Sequence, residues 1–106
     1  MKKIEYNKIV RDKIPEIIES DSKECTTKVV SGKDKLEYLY KKLFEESAEL
    51  SESGSIEELA DLQEVVNAIR KELGISEEEL EKVRASKADK RGGFDKGIVL
   101  LEVNEK

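Results

Sequence analysis

The stretch DKLEYLYKKLFEESAELSESGSIEELADLQEVVNAIRKELG, residues 34–74, decides the fold. From Asp34 to about Ser53 the apolar residues Leu36, Leu39, Tyr40, Leu43 and Leu50 recur at helical spacing, which predicts a long amphipathic helix. Ser55-Ile56-Glu57-Glu58 has the pattern of a capping box and opens a second helix that runs to Gly74, a C′ residue. Between them lies only Ser53-Gly54-Ser55. A break that short predicts an antiparallel hairpin with Gly54 at its turn.

The hairpin gives the acids their meaning. Glu46 and Glu49 on the first helix, and Glu58 and Asp61 on the second, form two pairs at i, i+3 spacing. Each pair projects from one stripe, with Cβ atoms roughly 5–6 Å apart. Folding about Gly54 sets Glu49 opposite Glu58 and Glu46 opposite Asp61. Carboxylates gathered so closely raise one another's pKa and destabilise the fold unless a cation sits among them. A divalent metal is the natural cation.

A chain this rich in glutamate produces i, i+3 acid pairs by chance, so position on the helix wheel carries more weight than the pairs themselves. Glu45 and Glu52 lie opposite the leucine stripe, whereas Glu46 and Glu49 are rotated toward one edge of it. On the second helix Glu58 and Asp61 fall near Val65, Ala68 and Ile69, while Glu57 and Glu64 share the side of Lys71. The four named acids thus border apolar faces, and their neighbours are expected in solvent. Glu58 has a competing use as the capping-box residue that binds the Ser55 amide.

Working outward, residues 1–11 lack a helical stripe and read as an extended arm. Asp12 is positioned to cap a short helix reaching Ser20, with Pro15 tolerated in the first turn. Cys25 to Val30 is β-branched and short, and reads as a strand; the apolar tail around residues 97–103 is expected to pair with it. Ser76-Glu77-Glu78-Glu79 is a further capping pattern, opening a last helix that ends at Gly92-Gly93. The expected architecture is mainly α, four helices with a small β element, in a single domain over residues 1–106.

Composition narrows the chemistry. The chain has 106 residues, 37% apolar and 5% aromatic, which limits the core it can bury alone and predicts self-association. Charged residues make up 42% with a net charge of −5 and mixed signs, so a nucleic-acid polymer is not the expected partner. Histidine and tryptophan are absent and Cys25 is the sole cysteine. That excludes an internal disulfide, histidine-containing triads and zinc sites of the Cys/His type. Oxygen ligands remain, and these suit Mg²⁺, Mn²⁺ or Ca²⁺. No apolar run reaches membrane-spanning length, and Met1 to Glu5 lacks the apolar stretch of a signal peptide, so a cytoplasmic location is expected.

Lys42-Leu43-Phe44-Glu45-Glu46-Ser47-Ala48-Glu49 followed by Glu58-Leu59-Ala60-Asp61 resembles the EExxE…ExxD signature of the MazG-like all-α NTP pyrophosphatases, a superfamily that includes phosphoribosyl-ATP pyrophosphohydrolase. Residues 6–18, from Tyr6 through Arg11 to Ile18, and residues 87–94, from Lys87 through Arg91 to Phe94, look like the two ends of a small single-domain branch labelled phosphoribosyl-ATP pyrophosphohydrolase-like. The resemblance implies a four-helix bundle and a homodimer whose interface completes the nucleotide pocket. It further implies Mg²⁺ ligands at Glu46, Glu49, Glu58 and Asp61, and hydrolysis of a nucleoside triphosphate to the monophosphate and pyrophosphate. Clearing of aberrant nucleotides is the role it suggests. Glu45 matches the first, less essential acid of the motif.

Within that expectation Mg²⁺, or Mn²⁺ in its place, stands between the acids and the phosphates, and with histidine absent a carboxylate is the general base. Glu49 and Glu46 are the two candidates. Lys87 and Arg91, one turn apart near the end of the last helix, would meet phosphate charge, although basic residues there also favour the helix dipole. Arg11 is a further substrate-binding candidate, with a salt bridge as its plain alternative. Lys42 matches a lysine preceding the family motif and also stands i, i+4 from Glu46. Tyr38, Tyr40 and Phe44 are positioned to stack on a base, with core packing the preferred use of Tyr40. The competing readings are a non-catalytic acidic helical module, for interaction or nucleotide binding, and a structural Ca²⁺ site.

Overall fold

The computed structural model describes residues 2–105. The chain folds as two compact units, Met1–Gly74 and Ile75–Lys106. Helices α1 (Ile14–Ser20), α2 (Gly32–Ser53) and α3 (Ile56–Glu72) belong to the first, and α4 (Glu77–Arg91) to the second. No described helix is long and apolar enough to cross a membrane.

In the first unit α2 packs against α3. The turn follows from Gly54, which takes the left-handed conformation (φ 60°) that ends α2 while its amide donates to the Leu50 carbonyl at 2.8 Å. That conformation suits a residue without Cβ. At the far end of the hairpin the Gly32 amide donates to Glu72 Oε1 at 3.0 Å, and Lys35 pairs with Glu72 at 3.3 Å. Lys35 and Glu72 stand in the same mirror relation about Gly54 as Glu46 and Asp61. The two ends together fix the register that the acids need.

Leu39 and Val65, 4% and 8% exposed, are the buried apolar side chains among the described residues. Leu36, Leu43, Leu50, Leu62, Ala68 and Ile69 are half-buried around them. The apolar stripes therefore face each other as their spacing predicts. Tyr40 differs from expectation: it lies at the solvent edge of the stripe, 40% exposed, and does not pack in the core.

Helix α1 starts one turn after the Arg11 carbonyl, which accepts from the Ile14 amide at 3.0 Å. Pro15 falls in its first turn, and the N-cap is Lys13, with no side-chain cap, so Asp12 does not take the capping role expected of it. In the second unit Ser76 and Glu79 form a full capping box at the start of α4, with the Glu79 amide on Ser76 Oγ at 3.1 Å and the Ser76 amide on Glu79 Oε1 at 3.3 Å.

The expected β element is corrected. No strand occurs among the described residues, and both 25–30 and 97–103 are irregular. Val29 is 98% exposed and Leu101 90%, so neither run has an apolar face covered. Strand propensity expresses packing against a covered, pleated surface, and without one a β-branched run gains nothing from pairing.

Candidate metal centre

The capping geometry of α3 decides where Glu58 goes. Ser55 Oγ accepts from the Glu58 amide at 3.2 Å, as in a capping box, but the Ser55 amide donates to Ser53 Oγ at 3.2 Å. The return bond that Glu58 would make is thereby supplied by Ser53. Its carboxylate is left for the hairpin interior, unlike that of Glu79 in α4.

Two overlapping groups of carboxylates result, Glu45 with Glu46 and Glu49, and Glu46 with Glu58 and Asp61. In each group one oxygen per residue lies within 4.8 Å of the others. Glu46 is common to both and is 5% exposed, while Glu49 is open to solvent and Glu58 and Asp61 are half-buried. Oε2 of Glu46 and Oε2 of Glu58 are sealed from solvent and have no hydrogen-bond donor. Buried polar atoms almost always have partners, so a pair of orphaned carboxylate oxygens in one cluster is an anomaly that a shared proton or a cation between them would relieve.

The electrostatics agree. Burial, followed by the negative charge and hydrogen-bonding groups of Glu49 and Glu46, pushes the Glu58 carboxyl up to about 7. Glu45 goes the other way, held below its ordinary range first by its hydrogen bond from Lys8 and then by Lys42. Lys8 in turn is raised, chiefly by that bond to Glu45.

Three cations rim the acids. Lys42 Nζ lies 3.3 Å from Glu45 Oε1 and 3.3 Å from Glu46 Oε1. Lys8 Nζ lies 3.0 Å from Glu45 Oε1, and an Arg11 guanidinium nitrogen 2.7 Å from Asp61 Oδ1. Of the substrate-binding candidates, Lys42 and Arg11 therefore adjoin the acids, each in an ion pair. Lys87 and Arg91 lie together on one face of α4 with Lys82, Val83, Ser86 and Lys90. Among the aromatic candidates Phe44 is exposed, and the Tyr38 hydroxyl donates to Asn7 Oδ1 at 2.9 Å.

Two features depart from the wheel reading. Glu45 was expected in solvent but is half-buried and ion-paired, because Lys8 reaches it from the N-terminal segment. Lys8 itself had no assigned role, although it lies within the 6–18 stretch that carries the resemblance. Glu52, Glu57, Glu64 and Lys71 are exposed as expected.

The donor set is all oxygen, of the kind that could hold a hard divalent ion. No family model, curated protein or solved structure matches this chain.

Proposed function

We propose that the chain is a Mg²⁺-dependent nucleoside triphosphate pyrophosphohydrolase of the MazG-like type, releasing pyrophosphate and a nucleoside monophosphate. The observation that carries this reading is the pair of sealed, donorless oxygens on Glu46 and Glu58 inside one carboxylate cluster. An interaction surface has no need to bury carboxylates against one another, so this observation also favours a metal site over the acidic-module alternative.

Glu46, Glu49, Glu58 and Asp61 would hold the ion, Mg²⁺ or Mn²⁺ in its place, through oxygen alone. Bound there, it supplies Lewis acidity toward the phosphate oxygens. Glu46, being sealed, serves as a ligand. Glu49 is the acid that faces solvent, and it takes the proton of a water attacking the α-phosphorus. The bond from that phosphorus to its bridging oxygen breaks, and pyrophosphate leaves with the electron pair. Lys42, beside Glu45 and Glu46, and Arg11, beside Asp61, are the substrate-binding cations adjoining these acids. Large apolar side chains left exposed on the hairpin, among them Phe44, Ile56 and Leu59, support a homodimer.

The test is pyrophosphate release over a panel of standard, deoxy and damaged nucleotides, with Glu49→Gln and Asp61→Asn alongside. Both variants are expected to lose about a hundredfold or more in rate, as loss of a general base or metal ligand does. Lys87→Ala and Arg91→Ala test the two cations that the resemblance adds. Equal rates for parent and the two acid variants would refute the site. Metal-dependent stabilisation with no pyrophosphate from any substrate would leave a structural cation site instead.

A further inference from the structure

The proposed reaction gives the N-terminal segment no task beyond the substrate-binding expectation for Arg11, yet this segment is tied to both helices of the hairpin. Residues 2–11 have no regular structure. Three side-chain contacts nevertheless fasten them: Tyr38 Oη to Asn7 Oδ1 at 2.9 Å, Lys8 to Glu45 at 3.0 Å and Arg11 to Asp61 at 2.7 Å. Asn7 adopts a left-handed conformation (φ 44°), a local bend that asparagine tolerates better than most residues. Glu45 lies on α2 and Asp61 on α3, so the segment runs across the acidic cluster like a strap.

As braces these ion pairs are poor. The Arg11 side chain is 57% exposed, and pairs so open to solvent contribute little to stability. As counter-ions they fit well. Five carboxylates, Glu45, Glu46, Glu49, Glu58 and Asp61, face three cations, Lys8, Arg11 and Lys42. Fully ionised, the cluster keeps two uncompensated negative charges, the charge of one divalent ion. Once an ion binds Asp61 and its neighbours, the strap cations lose part of their attraction to the acids. A polyphosphate arriving on that ion brings further negative charge within their reach.

We propose that Lys8 and Arg11 form an exchangeable cation strap, neutralising Glu45 and Asp61 in the metal-free site and transferring to the phosphate tail of a metal-bound polyphosphate. The inference rests on the proposed metal site and extends it. The strap makes the phosphate chain the recognised part of the substrate, whatever base is attached. Arginine suits the transfer, because its planar fork matches carboxylate and phosphate alike.

The test is calorimetric titration of the whole chain, first with Mn²⁺ alone and then with inorganic pyrophosphate at saturating Mn²⁺. Arg11→Gln, Lys8→Gln and the control Lys35→Gln, at the far end of the hairpin, are compared with the parent. Removing a competing cation is expected to tighten Mn²⁺ binding about threefold in Arg11→Gln. Removing a phosphate partner is expected to weaken pyrophosphate binding about tenfold. Lys8→Gln is expected to move the same way, and Lys35→Gln to do neither. A purely structural brace cannot produce opposite signs for the two ligands. Weakening of both ligands, or no change in either, overturns the strap while the metal site stands. A parent chain that does not bind Mn²⁺ overturns the metal site and the strap with it.

Discussion

Replacing Glu46 by glutamine is expected to stabilise the metal-free protein and to remove its response to metal. Glu46 is 5% exposed, and its Oε2 has no donor. A buried acceptor left without a partner costs about 1–3 kcal/mol. Its Oε1 faces Lys42 at 3.3 Å, but Lys42 keeps Glu45 at 3.3 Å when Glu46 is lost, so the forfeited pairing amounts to about 1 kcal/mol at most. The amide has nearly the same shape, removes one negative charge and supplies a donor to the remaining acids. The net expectation in EDTA is a gain of about 1 kcal/mol, read as a melting temperature about 4–8 °C higher for a unit of this size. With Mn²⁺ at a hundredfold excess over its Kd the parent gains about 2.7 kcal/mol, whereas the variant, one central ligand short, gains far less. The order of stability therefore reverses between EDTA and metal. Far-UV circular dichroism melts in both conditions measure it, with Glu52→Gln, an exposed acid outside the cluster, as control. An Glu46→Gln chain that melts below the parent in EDTA would refute the reasoning, since the buried carboxylate would then be a net stabilising element.

Further outcomes follow from the same structure. Glu58 titrates near 7 in the folded chain against an ordinary 4.5, so the native state binds the extra proton between those values: metal-free stability rises as pH falls from 7 toward 4.5 and is lost as pH climbs through 7. Across that window metal must displace the proton, and Mn²⁺ affinity measured by calorimetry should fall about tenfold for each unit by which the pH is lowered. Below 4.5 the depressed Glu45 works in the opposite sense, so acid then weakens the fold. Gly54→Ala is expected to cost about 1 kcal/mol in a denaturant titration, from the left-handed backbone alone, because a Cβ there meets no atom within 4 Å. Leu39→Ala, at the best-buried apolar position, should cost about 2–4 kcal/mol and show as a lowered denaturant midpoint.

The hairpin was legible because two 3.6-residue patterns flank a break too short for anything but a reversal. Register came with it, since Gly54 needs to be the turn and the leucine and valine stripes must meet. The grouping of Glu46 with Glu58 and Asp61 follows that spacing, whereas Glu49 groups with Glu45 and Glu46 on the first helix. What escaped were contacts made at a distance in sequence. Lys8 reaches Glu45, and Arg11, whose salt bridge was foreseen without a partner, reaches Asp61, from an arm with no periodicity, so nothing on a helix wheel reveals the pairings. The fate of Glu58 hung on Ser53, two residues outside the capping pattern that claimed it. The strand readings failed because β-branched content records a preference for a covered sheet surface, and residues 25–30 and 97–103 have none.

Paramagnetic broadening of amide resonances by Mn²⁺ tests, residue by residue, whether the hairpin carboxylates share one divalent ion. Sub-stoichiometric Mn²⁺ is expected first to erase signals around residues 45–49 and 58–61, and Asp61→Asn to abolish the effect. Broadening centred on the solvated acids Glu77, Glu78 and Glu79 at the start of α4, or spread evenly over the chain, would contradict a shared ion.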